Sequence, residues 1–198
     1  MKILTLFSTF ILLTAFTCLV AKSVQIKKNH PRKFSGKEDT ISHTFLFMNK
    51  FYVLTCFIIL SVSFLVFLFA LHLRFAIIQD THILSLSIVI LISILILLIN
   101  YDDPTSAGHY AGVGVFFATA PLFLLRISSL ISLENESLGI IGWGVIIIGL
   151  LTTLSLEIFL KIKSNKERPP VFGYVTELMY TIVPVIWIFV NSIFLILE

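Results

Sequence analysis

Charge is what this sequence has least of. Asp, Glu, Lys and Arg make up 13% of its 198 residues, about half the share usual in soluble domains. So few charges cannot coat a water-facing surface, which excludes an ordinary soluble globular domain. Cysteine is also scarce. The chain holds two, Cys18 and Cys56, both inside apolar runs. A disulfide framework and a cysteine-based metal centre are therefore excluded, and packed thiols are expected. Strict alternation of polar and apolar residues is missing, which argues against a transmembrane β-barrel. No internal repeat is visible. The phosphate-binding glycine loop, the dinucleotide fingerprint, the nucleophile elbow and the HExxH zinc motif are all absent. We expect no cofactor and no metal, and no catalytic residue can be assigned. An intramembrane enzyme that uses none of these motifs stays open.

What is present is hydrocarbon. Hydrophobic residues make up 58% of the chain, and the mean hydropathy is +1.03. Apolar runs occupy residues 3–21, 51–71, 83–99, 110–133, 138–160 and 173–197. A spanning helix takes roughly 17–25 residues, and every run fits. The expected fold is all-α: one polytopic transmembrane helix bundle of six spans. Five would remain if residues 1–21 were a cleaved signal. We expect the first run to be retained, because its apolar stretch is longer than a signal core and ends on a poor cleavage site.

The basic residues are unevenly placed. Lys22, Lys27, Lys28, Arg32, Lys33, Lys37 and Lys50 fall in one segment, residues 22–50, expected to be a basic polar loop. Lys161, Lys163, Lys166 and Arg168 follow the fifth run. With six spans, these eleven share one side, and only Lys2 and Arg74 flank the other. The positive-inside rule then predicts cytoplasmic basic loops and both termini outside. The first loop could meet anionic lipid headgroups. Nucleic acid is not an expected partner, since no nucleic-acid fold accompanies the basic residues.

Few polar residues interrupt the spans. Asp102, Asp103 and His109 lie in the turn before the fourth run, where Asp-Pro and Gly also serve simply as turn formers. Glu157, near the end of the fifth run, and Glu177, near the start of the sixth, fall at the same face. All five form a candidate polar cluster, since an ionisable residue in a span is a functional hypothesis by default. A helix-end acid is the competing reading for both glutamates, because the dipole favours an acid in a first turn such as that of Glu177. Arg126 and Asn191 occupy matching depths in the other leaflet and form a candidate pair. Small residues in Gly108-x-x-x-Gly112 and Gly139-x-x-Gly142-x-Gly144 suit close helix packing. Pro184 is expected to kink the last span.

Two segments carry a resemblance. Asp102-Asp103-Pro104 with His109, Ala111 and Phe116-Phe117 is one. Gly173-Tyr174-Val175-Thr176-Glu177 with Trp187 is the other. Across residues 83–197 the chain resembles a superfamily of six-helix membrane proteins. That superfamily includes DRAM-like autophagy modulators, GPI-anchor lipid-remodelling factors and uncharacterised prokaryotic members. The long basic first loop departs from its pattern. The resemblance implies a six-helix bundle with His109 and Glu177 as a polar pair at one face.

For function, the missing motifs favour a small non-catalytic membrane protein. The expectation is an accessory or structural subunit, with the lipid bilayer and other membrane subunits as partners. A small transporter or channel is one alternative. A lipid-handling protein or intramembrane enzyme using the polar cluster is another.

Overall fold

A computed structural model describes residues 2–30, 44–100, 106–163 and 174–197. Among these, no strand occurs, and six helices are long and apolar enough to cross a membrane. They are α1 (Lys2–Asn29), α2 (Lys50–Phe75), α3 (Thr81–Ile99), α4 (Ala107–Glu134), α5 (Glu136–Lys163) and α6 (Tyr174–Leu197). The protein is an integral, multi-pass membrane protein built as a helix bundle. Helices suit this setting because each satisfies its own backbone where no water is available.

The polar residues bounding the apolar runs start the helices. Asn49 Oδ1 accepts the Phe51 N–H at 2.8 Å. Asp80 Oδ1 accepts that of Ile83 at 3.0 Å, Ser106 Oγ that of His109 at 3.1 Å, and Asn135 Oδ1 that of Leu138 at 3.0 Å. Each answers one of the donors that a helix start leaves open. Between α2 and α3 the chain turns through Ala76, whose φ of 49° is left-handed, and a 3₁₀ turn at Ile77–Gln79.

The helices follow an open ring. α2 packs on α1, α1 on α6, α6 on α5, α5 on α4 and α4 on α3. α2 and α3, although consecutive, make almost no direct contact. The core lies among α2, α4, α5 and α6, where Phe67, Phe123, Ile127, Ile146, Trp187 and Leu195 are shut away. α3 buries least, at 11% of its apolar window, and presents Leu84, Ile88, Leu91, Ile92 and Leu95 outward. A polar seam joins the helices inside. Thr9 and Ser192 share a 2.6 Å hydrogen bond, and Trp187 Nε1–H donates to Ser128 Oγ at 2.8 Å.

The first basic segment differs from a polar loop. α1 continues as helix to Asn29. Ser23 bonds Thr44 at 2.8 Å, Ile26 packs with Met48 and Val53, and the His30 ring stacks on Phe47. The physical reason is local. Residues 22–29 hold neither Gly nor Pro, and Lys27 and Lys28 in the last turn complement the helix dipole. Residues 31–43 lie outside the described residues. The sixth span stays helical through Pro184, and α4 through Pro121. Each proline withholds a hydrogen bond from the carbonyl four residues earlier.

Candidate functional site

A cavity of about 320 Å³ lies within the ring. Its walls come from α1 (Leu12, Phe16, Leu19), α2 (Leu60, Phe64), α3 (Ile94, Leu97), α4 (Val113, Phe117, Ala120) and α6 (Pro184, Val185). Among the described residues its polar lining is Ser61, His109, Glu177 and Thr181, with no Lys or Arg.

His109 and Glu177 sit at one end. His109 belongs to the first turn of α4 and Glu177 to the first turn of α6. Both helices start at the face where the basic segments lie, so the two side chains enter the cavity from that face. They are 8% and 6% exposed. The His109 backbone N–H is fixed by the Ser106 cap, and its ring meets Tyr110 edge-on at 6.3 Å between centroids. Thr181 stands one turn deeper than Glu177. Its hydroxyl donates to the backbone oxygens of Glu177 and Leu178, at 3.1 and 2.8 Å. Its own oxygen is thereby left to accept.

Of the candidate polar cluster, His109 and Glu177 are brought to the same cavity. Glu157 is half-buried on α5, outside the lining, and its charge reaches Tyr180 behind the wall. Tyr180 in turn stacks on Phe117, 4.6 Å between centroids. Asp102 and Asp103 lie outside the described residues. Nothing in the sequence marked the apolar lining. Phe64 lines the cavity while Phe69, five residues on, is 50% exposed, and the two read alike in a hydropathy profile.

Arg126 and Asn191 do not pair. Arg126 bonds the Asp80 carboxylate at the start of α3. Asn191 is fully buried in the seam and donates to the Trp187 carbonyl at 2.8 Å. The cause is rotational: α4 turns Arg126 towards α3, and α6 turns Asn191 towards its own previous turn. A second ion pair, Arg74 to Glu134 at 3.0 Å, joins the end of α2 to the end of α4. Together the two pairs tie the α2–α3 connection to α4.

The Asp80 carboxyl is lowered from 3.8 to about 2, first by the hydrogen bond from Arg126 and also by the N–H groups of Ile83 and His82. A carboxyl lowered by folding stabilises fully above its ordinary range, and that contribution disappears as pH falls through the folded value. Asp80→Asn is therefore expected to melt below the wild type at pH 6. The gap should close as pH falls from about 4 towards 2. Melting curves in an acid-tolerant detergent measure this, and a gap independent of pH would contradict the ion pair.

No protein-family model matches this chain, and no curated protein or solved structure does either.

Proposed function

We propose that this protein is a lipid-handling membrane protein that holds a lipid in its intramembrane cavity. One observation carries the reading. A buried carboxyl group and a buried imidazole lie at one end of a cavity whose other described lining residues are hydrocarbon apart from Ser61 and Thr181. A protein that only packs against neighbours gains nothing from an unfilled space, because packing is what holds membrane helices together. Ligand pockets run from about 300 to 1,000 Å³, mostly apolar with a few placed polar groups, and this one fits the lower end.

A through-going pore is less well supported. Phe64 meets Phe123 at 6.1 Å in the cavity wall, and outside the lining Phe67 meets Trp187 at 6.1 Å, with no polar path past them among the described residues. The placement of His109 and Glu177 agrees with the polar pair implied by the six-helix superfamily, and we propose kinship with it on that ground.

The sidedness belongs to the same proposal. By the positive-inside rule the basic segments face the cytoplasm, so the polar end of the cavity opens in the cytoplasmic leaflet. Lys33→Cys should be labelled by an impermeant maleimide only from the cytoplasmic side. Labelling from outside would reverse the orientation.

Native mass spectrometry of the protein purified in mild detergent tests the function. The wild type should carry one lipid per chain. Ala120→Phe, which fills the cavity from α4, should lose it while keeping the wild-type melting temperature. A chain that carries no lipid, and instead co-purifies in fixed ratio with other membrane proteins, would favour an accessory subunit.

A further inference from the structure

We infer that the end of α1 and the start of α2 form a basic shoulder on which the headgroup of an anionic phospholipid docks. Lys22, Lys28 and Lys50 are not among the cavity-lining residues, so this site stands apart from the one within the ring.

The shoulder is held in shape by packing. α1 runs eight residues past its apolar run, to Asn29, roughly 12 Å at 1.5 Å per residue. One face of this extension is fixed. Ser23 and Ile26 are buried, Ser23 bonds Thr44, Ile26 packs with Met48 and Val53, and His30 stacks on Phe47 at 5.4 Å. Fixing that face fixes the other. Lys22, Gln25 and Lys28 follow at three-residue steps and all are exposed. The Lys22 ammonium donates to Gln25 Oε1 at 3.1 Å. Lys27 in the last turn of α1 and Lys50 in the first turn of α2 add two further cations.

Charge selects an anionic partner. Residues 22–50 carry seven Lys and Arg against two acids, Glu38 and Asp39. A lysine close to an anionic leaflet strengthens binding about fivefold. The apolar residues among the cations select a lipid. Val24 is 49% exposed, Leu46 38% and Phe51 80%. A nucleic acid or an acidic peptide would leave these side chains in water. The headgroup layer accepts both kinds, since lysine stems lie along apolar surface while their ammonium groups reach the phosphates.

Three probes titrated against the full chain in a neutral detergent test the site: dioleoyl phosphatidylglycerol, dioleoyl phosphatidylcholine and soluble glycerol phosphate. Phosphatidylglycerol should bind at least tenfold tighter than phosphatidylcholine, and glycerol phosphate should not displace it. Lys22→Gln with Lys28→Gln should weaken phosphatidylglycerol at least tenfold and phosphatidylcholine less than twofold, with an unchanged melting temperature. Lys22→Arg with Lys28→Arg should keep the preference, as should Lys2→Gln at the far end of α1. About 1 M salt, which screens charge within about 3 Å, should abolish it. Equal affinity for the two phospholipids would overturn the site, and so would a preference that survives the double glutamine variant. Displacement by glycerol phosphate at equal concentration would show a soluble phosphate site instead of a lipid one. Ala120→Phe separates this site from the cavity. The preference should persist in that variant whether or not the cavity holds lipid, and its loss there would move the anionic lipid into the cavity and overturn the shoulder.

Discussion

Trp187→Ala is expected to cost about 3–5 kcal/mol, the range for removing a fully buried aromatic side chain. Trp187 is 0% exposed and ties four helices together. From α6 it meets Phe67 of α2 edge-on, ring planes at 85°. Its indole N–H donates to Ser128 of α4 at 2.8 Å. A side chain at Gly142 of α5 would come within 3.1 Å of the indole nitrogen. Two effects are lost together in the alanine variant, and their sizes differ. Side-chain hydrogen bonds between membrane helices average about 0.6 kcal/mol, whereas the volume term is several times larger. Trp187→Phe keeps much of the volume and loses only the donor, so about 1 kcal/mol is expected. Unfolding titrations in mixed micelles would rank the two. If phenylalanine costs as much as alanine, the hydrogen bond and not the packing dominates.

Gly139→Val should be at least as damaging, for a different reason. A Cβ at Gly139 would lie 2.2 Å from Ser132 Cβ, 2.6 Å from Ser132 Cα and 2.8 Å from its nitrogen. Two of these are backbone atoms, so no rotamer change relieves the clash. The helices cannot swing apart either, because Asn135 is the only residue between the end of α4 and the start of α5. Ordinary overpacking costs about 1–3 kcal/mol. Here the upper end is a floor, and folded yield should fall sharply. Gly144 is the control, with nothing within 4 Å of its would-be Cβ. Gly144→Ala should be neutral or stabilising by up to about 1 kcal/mol, the helix-propensity difference. Thermal stability of the two variants side by side decides this, and equal losses would rule out the close α4–α5 approach.

These two glycines show where sequence reading stops. Both belong to the same small-residue pattern, and spacing gave them equal standing. Only the rotation of α5 about its axis separates a glycine in contact from one facing lipid. Arg126 repeats the lesson. Its depth matched Asn191, but depth does not specify direction, and Asp80 proved to be the group it faces. The first basic segment shows a third limit. Its charges suggested a polar loop, while residues 22–29 have the propensity to extend α1 and find packing partners at Thr44, Phe47 and Met48.

The sequence by itself determined that the chain is a multi-pass helix bundle and where its six spans lie. It could do so because the bilayer enforces length, hydropathy and internal backbone hydrogen bonding residue by residue along the chain. Its scarcity of charge, the first property noted, is the direct expression of that demand. It also put His109 and Glu177 at one face, since topology alone brings the starts of α4 and α6 together. The tertiary structure decided which apolar side chains enclose a cavity, that α2 and α3 stand apart, and which charges pair. Lipid and bundle interior are equally apolar, so Phe64 and Phe69 carry no hydropathic difference that would tell inside from outside. Only the packed arrangement of the helices supplies that distinction, and the candidate site depends on it.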